Sequence, residues 1–119
     1  MKDDSGFIRW AEDVAGHDYA AAASYLSLKI PAADVAKEME ALSHAAVTSR
    51  RANDILRATG LSPLPLTDPG VLRDLKKVLS GEKLSPVLVA RDDIADGYHR
   101  VSLAYALDPF AHVPLKIPG

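Results

Sequence analysis

No cysteine occurs in the chain, which excludes disulfides, thiolate metal sites and any thiol-based redox step, and is compatible with a reducing compartment. A surplus of positive charge is missing too. Lys and Arg total 14 against 16 for Asp and Glu, a formal charge of −2, so there is no bulk attraction to DNA, RNA or an anionic membrane surface. A local anion pocket is still allowed. The longest small-apolar run, Tyr19 to Leu28, is about half a membrane span. The start Met1-Lys-Asp-Asp lacks the basic-then-apolar layout of a signal peptide, so a cytoplasmic location and no membrane partner are expected. There is no Gly-x-Ser-x-Gly elbow, Walker lysine loop, dinucleotide fingerprint or His-Glu-x-x-His motif, and His17, His44 and His112 lack metal-ligand spacing, so no metal site is expected from them.

What is present suits one ordinary folded domain. The 119 residues, 48% hydrophobic and 25% charged, allow one modest core without a covalent staple. Two halves differ in texture. Residues 1–60 read as a helical N-terminal layer or extension, and 61–119 as an α/β core, together one compact domain. Ser5 is expected to cap a first helix carrying Phe7, Ile8, Trp10, Ala11 and Val14, broken at Gly16. An Ala-rich helix follows from His17 to about Leu28. A third starts at Pro31 with Val35, Met39, Leu42 and Ala46 on one face, and a fourth runs from about Arg50 to Thr59 and ends at Gly60.

In the second half Ser62-Pro-Leu-Pro65 is extended, as a short edge strand or connector. Thr67 or Asp68 caps a helix with Pro69 in its first turn, running to Gly81. Ser85-Pro-Val-Leu-Val-Ala90 reads as a strand covered on both faces. A tight turn at Arg91-Asp-Asp93 leads to Ile94, and a helix runs from Gly97 to about Leu107. Val113, Leu115 and Ile117 alternate with Pro114 and Lys116 as a final strand, expected near a sheet edge because proline cannot donate to a ladder.

The segment of greatest chemical interest is Ile94 to Leu107, a buried strand turning through one glycine into a helix. Its first turn carries Asp96, Tyr98, His99 and Arg100. Such a turn aims free N–H groups and the positive end of a helix dipole at one point, and a guanidinium and an imidazole join them there, which is the chemistry of a phosphate cradle. Gly97, Tyr98, His99 and Arg100 are the candidate ligand contacts. Asp96 and His99 are the candidate catalytic pair, with Asp96 as base, as a metal holder beside a nucleotide, or as the plain N-cap of the helix. A second reading needs no ligand: Gly97 only turns the chain, Arg100 pairs with Asp93 or Asp96, and His99 is a surface residue. Arg51, Asp54 and Arg57 share one helical face as a candidate second shell over the pocket, or as a solvated charged face.

The ordered set of helix, Pro-Val strand, Asp96-Gly97-Tyr98-His99-Arg100 turn, helix and Val113-Pro114 strand resembles the ParB/sulfiredoxin superfamily over residues 61–118. Sulfiredoxins carry Gly-Cys-His-Arg at this turn, ParB partition proteins Gly-Glu-Arg-Arg, and free serine kinases and related bacterial ParB-like proteins an Asp-Gly-His-His-Arg type of turn. The resemblance implies an α+β fold: a small mixed sheet packed with helices and preceded by the N-terminal helical layer. It also implies a nucleotide- or phosphate-ligand-binding protein, a candidate small phosphotransferase or nucleotide hydrolase, taking CTP, ATP or ADP with Mg²⁺. Tyr98 stands where sulfiredoxin has its essential cysteine, which excludes that repair chemistry. The helix positions at which sulfiredoxin turns a lysine and a serine toward phosphate are Val71 and Asp74. No basic helix-turn-helix follows the turn, so DNA is not an expected partner. The alternative is a non-enzymatic interaction module on the same fold, an adaptor, antitoxin or immunity-like protein. Its partner would bind through the N-terminal helices, with Phe7, Ile8 and Trp10 as contacts.

Overall fold

Nine elements build the chain in the computed structural model, which describes residues 7–118. They are α1 (Gly16–Leu26), α2 (Ala32–His44), β1 (Thr48–Arg51), α3 (Ala52–Thr59), α4 (Pro69–Leu79), β2 (Val87–Ala90), β3 (Asp93–Asp96), α5 (Tyr98–Leu107) and β4 (His112–Lys116). The strands form one mixed sheet in the order β1-β4-β2-β3. β4 runs antiparallel to β1 and parallel to β2, and β2 runs antiparallel to β3. The architecture is therefore α+β.

The two-residue period of a strand divides β2 between two cores. Val87 joins Ile55, Leu56, Val71, Val101, Val113 and Leu115 under α3, α4 and α5, with Val89 packed against the same cluster. Leu88 and Ala90 face the other way, onto Ala22, Leu26 and Leu42 of α1 and α2. Ile94 and Ala95 of β3 split in the same manner. The continuous apolar run read from the sequence thus has its physical cause: both faces of the sheet are covered by helices. β1 and α3 lie within residues 1–60, yet β1 completes the sheet beside β4 and α3 packs with α5 on the face opposite α1 and α2.

Three expectations are corrected. Residues 7–15 form no helix, and the Ser5 cap lies outside the described residues. Instead the segment runs extended beside Leu84: Ala11 N–H donates to the Leu84 carbonyl at 2.8 Å, and Leu84 N–H to the Arg9 carbonyl at 2.8 Å. Ile8 is buried and Trp10 packs on the core beneath α3, α4 and α5, so neither is a free contact surface, whereas Phe7 is exposed. The apolar spacing that looked helical reflects two side chains anchoring a bridge to Leu84. Second, Arg50 and Arg51 belong to β1, and α3 begins only at Ala52. Third, β4 is an inner strand. Its Pro114 lies opposite Ser49 in the β1 ladder, while the β2 ladder begins one residue later, at Val87 with Leu115.

Local chemistry fixes the remaining joints. The Asp68 side chain accepts from Gly70 N at 2.9 Å and Val71 N at 3.1 Å, and Pro69 follows it in the first turn of α4. Arg91 and Asp92 adopt φ of 55° and 59°, the pair of left-handed residues that a two-residue hairpin between β2 and β3 requires. The guanidinium of Arg91 is held at 2.6 Å by Glu38 of α2. The connector after α3 is not a strand. It is held by the buried Ser102 of α5, whose Oγ accepts from Leu64 N at 2.9 Å.

Because Leu88 is fully buried between β2 and α1–α2, Leu88→Ala is expected to cost about 2–5 kcal/mol. Urea unfolding followed by circular dichroism measures it, and a loss under about 1 kcal/mol would show that this face of the sheet is not a packed core.

Candidate functional site

β3 ends at Asp96, and the chain turns at Gly97 with φ of 114° into α5. A β-bulge between β2 and β3 lies just before this corner: Leu88 pairs with Asp96 and Val89 with Ile94, leaving Ala95 as the extra residue. Bulges re-aim the side chains that follow them. Gly97, not Asp96, is the N-cap of α5, and no side chain caps the first turn. The N–H groups of that turn have no intrahelical acceptor, and with the helix dipole they favour a negative group in front of them. In front lies a cleft of about 470 Å³, bordered by Gly97, Tyr98 and His99, by Asp93 and Asp96 of β3, and by Tyr25 of α1.

Glycine is required at 97 for two reasons. Its φ lies where side-chain-bearing residues rarely go. A Cβ there would also stand 2.9 Å from Arg100 Nη2 and 2.9 Å from Val87 Cγ2.

Arg100 does not point into the cleft as a free anion contact. Its Nη2 donates to Asp96 Oδ2 at 2.9 Å and lies 3.4 Å from Asp18 Oδ2 of α1. The guanidinium side chain is 15% exposed and that of Asp18 is 6% exposed. Asp74 of α4 is also buried, within electrostatic reach of Arg100. Desolvation raises the pKa of Asp96 against the downward pull of Arg100, and Asp18 adds to the rise. Desolvation likewise raises that of Asp74, opposed by Arg100, Lys77, His99 and Arg73. Asp18 Oδ2 and Arg100 Nε are buried without a hydrogen-bond partner among the described residues. The cation at the turn is therefore paired with two acids of the protein's own, Asp96 and Asp18, with Asp74 in reach.

The other residues scatter more. His99 is 49% exposed at the lip of the cleft, with Nε2 3.4 Å from Asp68 Oδ2. Tyr98 is half-buried, and its hydroxyl donates to the Ser62 carbonyl. Across the cleft, Asp93 accepts from Tyr25 Oη and Lys29 Nζ. Burial pushes the Asp93 pKa up, but these two donors and the Ile94 N–H outweigh it and leave it lowered. Arg51, Asp54 and Arg57 do not border the cleft. Arg51 lies over the Phe110 ring at 5.9 Å, and Arg57 is 3.5 Å from Asp54 with both exposed. Among the described residues no cluster of His, Asp and Glu is arranged to hold a metal ion.

Sequence reasoning joined Asp96, His99 and Arg100 but missed Asp18, Asp74, Tyr25 and Asp68 as their neighbours. Asp18 carries a faint signal, the one acid of its helix, set in the first turn just before a run of four alanines. The rest depend on which helix lies on which strand, which no local pattern states.

Gly97→Ala is expected to destabilise by at least about 2 kcal/mol through backbone strain and collision with the buried Val87, read from denaturant midpoints. A second outcome concerns pH. Asp74 and Asp96 hold a proton more tightly folded than unfolded, so their contribution to stability falls as pH rises from the ordinary value of 3.8 through their raised folded values. Asp93, lowered, acts with the opposite sign and loses its contribution only under more acidic conditions. Asp74→Asn should therefore gain on the wild type in melting temperature as pH rises above the ordinary value of 3.8, and a difference that stays flat with pH would refute the burial effect.

The chain matches no protein-family model, no curated protein and no solved structure, so the reading of this cleft rests on its own residues and geometry.

Proposed function

We propose that the chain is a ParB/sulfiredoxin-like protein that binds a phosphate-bearing small molecule, such as CTP, ATP or ADP, in the cleft at the head of α5. The observation that carries this reading is an α5 that starts on glycine, without a side-chain cap, at the wall of an open cleft of about 470 Å³. Backbone N–H groups and the helix dipole supply the attraction, and His99 at the lip adds a polar contact. Arg100 serves the site indirectly. Tied to Asp96 and Asp18, it fixes the turn rather than meeting the ligand. Magnesium would enter with the nucleotide, since Asp96 is engaged by Arg100 and Asp93 by Lys29 and Tyr25. A nucleotide-borne Mg²⁺ needs only one or two carboxylates beyond the phosphates. For phosphoryl transfer or hydrolysis, Asp96 and His99 are the groups we assign to move a proton.

One observation favours a second reading, the interaction module: the guanidinium of the turn is consumed by an acid from α1. On that reading the cleft is vestigial and the exposed Phe7 and Phe110 belong to a protein interface.

Thermal melts with inorganic phosphate, ADP, MgATP and MgCTP separate the two. A ligand at a hundred times its Kd stabilises by about 2.7 kcal/mol, several degrees for a domain this small. The wild type is expected to show that rise with at least one phosphate ligand, and His99→Ala to weaken its affinity about tenfold. Arg100→Ala is a poor probe, because it strands Asp18 and Asp96 as unpaired buried acids. No response of the wild type to any of the four would leave the interaction module.

A further inference from the structure

α4 begins at a point that the binding reading leaves unused. The first turn of α4 abuts the His99 ring: a Cβ on Gly70 would collide with Cδ2 and Nε2 and lie 2.8 Å from Cγ. The Cδ2–Nε2 edge of the imidazole is therefore laid against the backbone of Gly70, and only a residue without a side chain leaves room for it. Nε2 lies 3.4 Å from Asp68 Oδ2, the oxygen that also accepts from Gly70 N and Val71 N. One carboxylate oxygen thus closes α4 and faces the ring. His99 also borders the cleft.

From this geometry we infer that Asp68 is a positioning residue for His99: it holds the proton of the neutral imidazole on Nε2 and leaves Nδ1 as the acceptor presented to the cleft. A histidine nitrogen acts as donor or acceptor according to what its other nitrogen meets, and an acceptor-only carboxylate selects the protonated one. Gly70 sets the ring's plane and Asp68 its tautomer. His99 then accepts a proton or hydrogen bond from a ligand hydroxyl or from a protonated phosphate oxygen, while the first-turn N–H groups of α5 hold the unprotonated oxygens. The ligand class this selects carries an O–H next to, or on, its phosphate. The assignment of the cleft as a phosphate site rests on the function proposed above, whereas the fixing of the ring does not.

Serine caps a helix about as well as aspartate but bears no carboxylate and is too short to reach the ring, so Asp68→Ser separates the two tasks of Asp68. Ring ¹⁵N and ¹H spectra are recorded at a pH that keeps histidines neutral. The wild type is expected to show His99 as the Nε2–H form, with a nuclear Overhauser contact from Hδ2 to the Gly70 α protons. In Asp68→Ser, melting near the wild-type temperature, the ring should relax toward a mixture of tautomers. Gly70→Ala, which keeps Asp68 and suits a helix better, should lose the ring contact by displacement. A wild-type ring protonated on Nδ1, or an Asp68→Ser spectrum identical to the wild type's, overturns the inference. Titration with inorganic phosphate and ADP completes the test. Asp68→Ser and His99→Ala should each weaken binding about tenfold, and the double variant no further, since both remove one coupled contact. Additive losses overturn the positioning role. A wild type that binds neither probe sinks the phosphate site instead, and the ring spectra still decide the role of Asp68.

Discussion

The buried ion pairing of Arg100 is the constraint on which the corner depends. α1 and α5 lie on opposite faces of the sheet, and the guanidinium reaches past the end of β3 to join Asp18 of one layer to Asp96 and the helix start of the other. Charges taken out of water cost several kcal/mol each unless they are paired closely, so such a cluster tolerates few geometries. That intolerance fixes the angle at which α5 leaves the sheet, and hence where its uncapped first turn points. Burial raises the pKa of two of the cluster's carboxyl groups, Asp74 and Asp96, against the pull of Arg100, and Asp18 adds to the rise at Asp96.

Beside it, a second and more exposed unit is organised by Asp68. The two units share α5 but not their chemistry. Arg100 faces inward among acids, while its neighbour His99 faces outward across Gly70 and borders the cleft. Successive residues on a helix lie about 100° apart, so one short turn can place one side chain in the core and the next at a solvent-facing wall. The Asp-Gly-Tyr-His-Arg string is in this sense two devices in one turn. Tyr98, bonded to the Ser62 carbonyl, pins the connector beside them.

Much of this was legible in the sequence where the cause is local. The Asp68-Pro69 start of α4, the apolar run of β2, the tight turn at Arg91-Asp92 and the Gly97 turn are each written in a few adjacent residues. Reading failed where tertiary contacts override a local pattern. Phe7 to Val14 has helical spacing, yet its backbone bonds go to Leu84. Arg50-Arg51 looks like a helix start but is captured as a strand by β4. Pro114 argued for an edge, yet β4 lies between β1 and β2. In the site the turn and the Arg100–Asp96 pair were readable, while the other acids near Arg100 come from α1 and α4, far away along the chain.

The place of β4 carries a consequence for how the molecule is made. β2 and β3 are joined by two residues and can zip locally, but among the described residues β1 has no neighbour other than β4, which lies more than half the sequence away. A ladder between such distant segments must meet a large loop-closure entropy before it returns any stabilisation, which places it late on the folding route and slows the whole. Until residues 112–116 have left the ribosome, Thr48–Arg51 has nothing to pair with, and the emerging chain exposes a partnerless ribbon. Its short length and two arginines are the features that keep such a ribbon from adhering to other chains in the meantime.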